Sequence, residues 1–332
     1  MSVIVTGGAM STILVTGGAG FIGSCLVRTL NDMGIEDIII VDHISTSDKW
    51  KNMVNKKYTT YIPRDKFLQQ LDTFDGKVTH VIHMGACSAT TEKDFDFLYH
   101  NNFEFTKMIW KFCVKNQISM INASSAATYG AGENGFDDKK DICALRPLNG
   151  YGYSKQLFDL WEREQVLRPK QYVGFKYFNV YGPNEYFKGS MASVIFHTFN
   201  KIKETGEMCL FKSYRPDYED GQQLRDFVYV KDICKVVKFM IENPAVNGLF
   251  NLGTGTARSF YDLAKATFTA LGLEPNIKFV DMPESLRAKY QYYTQADMQK
   301  LRDAGYQEKF YSLEEGCRDY VVNYLAQDYK TY

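Results

Sequence analysis

The chain has 332 residues, 45% hydrophobic and 23% charged, the make-up of a folded globular protein with one large domain or two lobes. Thirty-nine basic residues balance thirty-nine acidic ones, so no overall charge calls for nucleic acid or an anionic membrane surface as partner. No apolar run approaches the ~18 residues of a membrane span, and the N-terminus lacks the basic and apolar regions of a signal peptide.

Residues Met1 to Met10 nearly repeat Ser11 to Gly20. The first copy lacks the later glycines and a following helix, so residues 1–10 read as a tail unable to build a phosphate site. In the second copy Ile13–Val15 is a short buried strand that stops at a glycine cluster. Beyond it Phe21, Ile22, Leu26, Val27 and Leu30 recur at helical spacing. Gly17 serves the tight turn, Gly20 the approach of a pyrophosphate and Gly23 the packing of helix on strand. The pyrophosphate would rest on free N–H groups at the positive end of the helix dipole. A second strand, Asp37–Val41, leads to Asp42, nineteen residues after Gly23, where a dinucleotide fold places the acid that meets the adenosine ribose.

The polar segment that follows carries Lys49, Lys51, Lys56, Lys57, Arg64 and Lys66. It reads as a solvated loop, or as the source of one or two bases for a 2′-phosphate, which would make the cofactor NADP. Val78–His83 is a third strand, ended by Gly85-Ala86-Cys87-Ser88, small enough to let the backbone pass close to a cofactor. His80 and His83 point to opposite faces of that strand, which argues against a metal site. The seven scattered cysteines, with no C-x-x-C pair, point to reduced thiols in the cytoplasm rather than to disulfides or zinc. A helix is expected from about Lys93 to Asn116, its apolar face interrupted by Asn101 and Asn102. Ile118–Ala123 is a strand leading into Ser124-Ser125-Ala126-Ala127-Thr128-Tyr129-Gly130. A loop, a helix from Tyr151 to about Leu167 and a strand Tyr172–Tyr177 follow.

Strands alternating with helices predict an α/β fold, a Rossmann-like doubly wound parallel sheet. The rhythm changes after Asn179. A turn, a helix from about Ser190 to Lys203 and a long polar loop, Lys212–Gln223, come next. Phe227–Val230 and Leu249–Leu252 look like strands that return to the sheet or abut it. From Ser259 helices mix with one strand near Ile277–Val280. The expected division is a dinucleotide-binding domain over 11–178 with a returning segment at about 226–258, and a smaller α/β substrate-binding lobe from 179–225 and 259–332.

Tyr151 and Lys155 share one helical face. A free tyrosine has a pKa of about 10, so its use as a base near neutrality costs about 4 kcal/mol. An adjacent lysine ammonium and an oxidised nicotinamide lower that cost. Ser125 would donate a hydrogen bond to the reacting oxygen, or else satisfy backbone at a strand end.

The glycine run Gly17–Gly23, Ser125 and Tyr151-x-x-x-Lys155 resemble the extended short-chain dehydrogenase/reductase family, whose members act mostly on nucleotide-sugars. The stretches Lys188-Gly189-Ser190-Met191-Ala192-Ser193-Val194 and Tyr290-Gln291-Tyr292-Tyr293-Thr294-Gln295-Ala296-Asp297 are the specific ones. They are similar to its branch of NADP-dependent epimerases acting at C6 of an ADP-linked heptose, a sugar used for lipopolysaccharide. That resemblance implies oxidation to a ketone and return of the hydride to the opposite face, served by two acid/base groups, Tyr151 and Lys188. On the residues alone Lys188 is a solvated loop lysine or a phosphate contact. The resemblance further places Phe21, Ile22, Asp42, His43, Lys49, Arg64, Met84, Gly85, Ala86, Cys87, Ser88, Asn101, Lys155 and Val180 at the cofactor. It places Ser125, Asn179, Ser190, His197, Phe211, Lys212, Ser213, Tyr214, Arg225 and Tyr290 at an ADP-heptose substrate, and implies a homopentamer.

Departures are visible. His43 and Arg64 stand where this branch has Asn and Lys, and the charge of Asp42 opposes a 2′-phosphate, which keeps NAD as the alternative cofactor. Asn184 replaces an arginine after Tyr181-Gly182-Pro183, and the 212–224 loop is long. The rival readings are a nucleotide-sugar 4-epimerase and a non-catalytic NADP-binding protein. Ala126-Ala127 replaces the acid pair of a 4,6-dehydratase.

Overall fold

The computed structural model describes residues 12–287 and 290–332; the tail expected at residues 1–10 lies outside them. In chain order the strands are β1 (Thr12–Thr16), β2 (Ile38–Asp42), β3 (Thr60–Pro63), β4 (Val78–His83), β5 (Ser119–Ser125) and β6 (Gln171–Tyr177). Then come β7 (Asn179–Tyr181), β8 (Met208–Phe211), β9 (Leu224–Arg225), β10 (Phe227–Tyr229), β11 (Gly248–Leu252), β12 (Arg258–Ser259) and β13 (Ile277–Val280).

Seven of them form one sheet in the order β11-β6-β5-β4-β1-β2-β3. Every pairing in it is parallel. β1 and β2 are buried along nearly their whole length because both faces are covered, which is why they read as unbroken Ile, Leu and Val rather than as alternation. Ile13 and Val15 face the helices Phe21–Asp32 and Val230–Glu242, in a core with Leu26, Ile233 and Val237. Leu14 faces the opposite side, in a core with Ile109, Trp110, Phe112 and Phe158 from the helices Phe105–Asn116 and Gly150–Arg163.

From β1 the chain winds outward to β2 and β3, then crosses back to β4 on the other side of β1. The helices that follow β1 and β4 therefore pack on opposite faces of the sheet, and the strand order reverses between these two strands, the place at whose carboxyl ends such sheets bind ligands.

Several elements differ from expectation. The segment expected as a loop after Asp42 contains β3, an edge strand in which Pro63 costs no ladder bond. The helix expected from Lys93 starts at Phe95 and widens into a π turn at Tyr99–Glu104, at Asn101 and Asn102. The helix carrying Tyr151 ends at Arg163, and the apolar Val166 beyond it is 94% exposed. The helix expected from Ser190 starts at Val194, capped by the Ser193 side chain. Of the two later strands, β11 joins the main sheet beside β6, whereas β10 pairs with β7 as a separate parallel ladder. The remaining pairs are β8 with β13 and β9 with β12. Among the described residues no helix is long and apolar enough to cross a membrane, and no group of three or more His, Cys, Asp or Glu is placed to hold a metal ion.

Candidate active site

The site is built on the carboxyl ends of β1, β2, β4 and β5. Gly17 has φ +68°, and a Cβ on it would stand 2.7 Å from the Gly85 nitrogen, so the loops after β1 and β4 meet back to back. A Cβ on Gly23 would lie 2.1 Å from the Gly17 carbonyl oxygen; only glycine lets the helix start this close to the turn. That helix begins without a side-chain cap, leaving the N–H groups around Phe21, Ile22 and Gly23 for a phosphate. Glycine cradle and uncapped helix both fit a dinucleotide pyrophosphate.

Asp42 ends β2, at the position expected for the ribose acid. Its Oδ2 accepts from the Ala19 N–H at 3.0 Å, and its Oδ1 from the His43 N–H at 2.7 Å and the Lys49 ammonium at 2.6 Å. His43 contributes only backbone there, its side chain being exposed. Arg64 follows β3, and its guanidinium binds the Asn101 side-chain oxygen. The overlooked edge strand thus sets Arg64 directly after Pro63, which pairs with Asp42.

Met84, Gly85, Ala86 and Cys87 are half-buried along the next edge and Ser88 is exposed. Thr16 anchors the segment, with its carbonyl accepting from Met84 N–H at 3.0 Å and its hydroxyl from Gly85 N–H at 3.1 Å. The Asn102 amide clasps Cys87, accepting from its N–H at 2.8 Å and donating to its carbonyl at 3.0 Å. It also donates to the Ser154 hydroxyl at 3.0 Å, tying the loop to the helix of Tyr151. Sequence reading saw Asn102 only as a break in an apolar face.

Ser125 ends β5, and its hydroxyl accepts from the Ala127 N–H at 3.1 Å. Burial raises the pKa of the Tyr151 phenol, and a hydrogen bond with Ser125 acts against that rise. Lys155 donates to the Ala123 carbonyl at 2.8 Å, and burial pushes its pKa down to about 8. Ser125, Tyr151 and Lys155 thus come together at the end of one strand.

Lys188 lies in the short 3-10 turn Tyr186–Met191, half-buried, its ammonium 5.4 Å from the centroid of the Phe21 ring. Burial lowers its pKa, with the Glu185 carboxylate opposing. Glu185, which sequence reading missed, is wholly buried; it accepts from the Ser193 N–H and hydroxyl, both at 2.6 Å, and pins the turn. Ser190 and His197 are exposed beside it, and Val180 is half-buried on β7 next to the exposed Asn179.

A second cluster gathers Phe211, Arg225 and Tyr290. The Arg225 guanidinium lies 5.5 Å from the ring centroids of both Tyr290 and Phe260, and Phe211 meets Tyr290 edge-on at 6.3 Å. The structure does not draw Lys212, Ser213 and Tyr214 into it by their side chains. Lys212 pairs with Asp281 at 3.2 Å, the Tyr214 hydroxyl donates to Asp281 at 3.2 Å, and Ser213 donates to the Arg215 carbonyl at 3.0 Å.

Against known proteins, a profile of the NAD dependent epimerase/dehydratase family matches residues 13–253. An ADP-L-glycero-D-manno-heptose-6-epimerase of Nitratidesulfovibrio vulgaris is 54% identical over 316 residues, covering 94% of this chain and 98% of that one. The protein of the same name from Fusobacterium nucleatum is 51% identical over 327 residues, covering 95% and 98%. The crystal structure of the Helicobacter pylori ADP-L-glycero-D-manno-heptose-6-epimerase superposes with a TM-score of 0.77 at 27% identity, covering 94% of this chain and 96% of that one.

Proposed function

The chain belongs to the NAD dependent epimerase/dehydratase family, and from that premise we propose that it inverts C6 of ADP-D-glycero-D-manno-heptose, giving the L-glycero epimer, with NADP as cofactor. The relatives' names support the substrate. The observation that carries the mechanism is a second lysine, the half-buried Lys188, brought to Phe21 beside the glycine loop in addition to Ser125, Tyr151 and Lys155.

A secondary alcohol's C–H is far too weak an acid for direct deprotonation. When bound, the nicotinamide supplies a reversible acceptor for that hydrogen as hydride. Everything else falls to the side chains. Tyr151 takes the hydroxyl proton, Lys155 stabilises the phenolate as an ammonium, and Ser125 donates a hydrogen bond to the sugar oxygen. Inversion needs a ketone that turns over in the pocket, so a proton must also be handled on its other side. Lys188, with a pKa lowered by burial, is the group for that task. The Arg225, Phe211 and Tyr290 cluster holds the nucleotide diphosphate, with the guanidinium on the phosphates and the rings on the adenine.

For the cofactor's own phosphate, Lys49 offsets the charge of Asp42 at 2.6 Å, and Arg64 lies near. Together they support NADP over NAD. The test is to incubate the protein with ADP-D-glycero-D-manno-heptose and follow the C6 epimers by NMR. Equilibration of the two is expected; inertness toward it, with interconversion of C4 epimers of a UDP-hexose, would move the reading to a 4-epimerase.

A further inference from the structure

Beyond the residues placed at the reaction, the helix Gly150–Arg163 carries a third titratable group on the same stripe. Tyr151, Lys155 and Asp159 follow one another at intervals of four, about 6 Å apart along the axis. Each is tied to β5. Lys155 donates to the Ala123 carbonyl at 2.8 Å, Asp159 accepts from the Ser124 hydroxyl at 2.7 Å, and Tyr151 meets Ser125. Lys176, opposite Ser124 on β6, closes the network with bonds to Asp159 at 2.6 Å and to the Thr128 hydroxyl at 2.7 Å. Asp159 and Lys176 are each 1% exposed, and the other Asp159 oxygen has no hydrogen-bond partner among the described residues.

An ion pair buried this deeply is weak evidence for stability, because desolvation offsets its attraction. Its position one turn beyond Lys155 gives it another use. We infer that Asp159, paired with Lys176, is a positioning residue for the acid–base pair: it fixes the end of β5 against the catalytic helix and keeps Lys155 an ammonium. Lys155 is also faced by His83 of β4 and Cys87 after β4, and Tyr151, one turn earlier on the same helix, is faced by Cys87 and by Asp159. Asp159 is faced by Lys176 and Tyr172 of β6, Tyr129 beyond β5 and Glu162 of its own helix. Asp159 is the acid whose charge favours protonated Lys155 most.

The inference rests on the proposed roles of Tyr151 and Lys155. Its test is the pH at which Lys155 loses its proton, read from the ε-carbon resonance in ¹³C-lysine-labelled protein and assigned by its loss in Lys155→Arg. The alkaline limb of kcat is the second readout. Asp159→Asn should lower both midpoints by about one pH unit or more, and Lys176→Met should raise them, since it leaves the Asp159 charge uncompensated. Asp159→Glu should return them toward the wild-type value. A purely structural role moves no midpoint; equal losses of kcat at every pH with an unmoved Lys155 titration would overturn the inference. If Asp159→Asn proves too unstable to purify, Lys176→Met decides alone: a midpoint that rises supports the inference, and one that falls or stays overturns it. Full activity in Tyr151→Phe would sink the acid–base reading instead, and the ε-carbon titration reads the Asp159 effect independently of it.

Discussion

The Lys188 ammonium stands 5.4 Å from the centre of the Phe21 ring, which joins the turn after β7 to the first residue of the cofactor helix. In the proposed mechanism this half-buried lysine is the second acid/base group. General acid–base catalysis contributes about 10²–10⁴-fold, so Lys188→Met and Tyr151→Phe should each slow epimerisation by about that factor. Each should spare one stereochemical half of the reaction, visible with a C6 aldehyde analogue disproportionated by hydride transfer. A Lys188→Met enzyme that epimerises at the wild-type rate would make Lys188 a loop lysine.

The Lys49–Asp42 pair predicts cofactor preference. Lys49→Ala should weaken NADP binding by about 1–3 kcal/mol, the scale of a charge-assisted hydrogen bond, and barely change NAD binding. Calorimetric titration with both cofactors checks this; equal losses would shift the assignment to NAD.

Arg225 separates binding from chemistry. Arg225→Met keeps much of the stem that packs on Phe260 and Tyr290 but removes the guanidinium proposed to hold the phosphates. KM for the ADP-sugar should rise about tenfold to hundredfold with kcat changed only a few-fold. A fall in kcat at unchanged KM would place Arg225 in the chemistry or the fold instead.

His83 predicts acid sensitivity. It is held between the Thr16 hydroxyl at 2.6 Å and the Thr106 hydroxyl at 3.0 Å, and burial drives its pKa from 6.5 down to about 3. Between those values the unfolded chain takes up a proton that the folded one refuses, so stability is lost as pH falls below 6.5. By pH 5 the loss from this group is about 2 kcal/mol. Urea unfolding at pH 7 and pH 5 should show a smaller difference for His83→Gln than for the wild type; an equal difference would mean that other groups set the acid limit.

What the sequence made legible was local. Gly17, Gly23 and Asp42 announce the dinucleotide turn because close backbone approach and a ribose acid impose residue types at fixed spacing. Tyr151 and Lys155 are legible by helical spacing for a similar reason. β3 was hidden because an edge strand needs no long apolar run, and Thr60-Tyr61-Ile62-Pro63 offers only a brief one. The partners of Arg225 and the pairing of Asp159 with Lys176 come from distant segments, and no spacing rule reports them. Lys176 gave one weak signal, the only charge in a strand buried along its whole length.

The crossing from β3 back to β4 has a consequence for the chain as it leaves the ribosome. Through the synthesis of β2 and β3 one edge of β1 stays open, with the unpaired backbone of a strand whose centre is Ile13-Leu14-Val15 exposed to any neighbour that could add to it. Only when Val78–His83 emerges is that edge closed, and only then do the loops bearing Gly17 and Gly85 meet. A nascent chain halted short of β4 should bind no cofactor and should aggregate more readily than one that carries it.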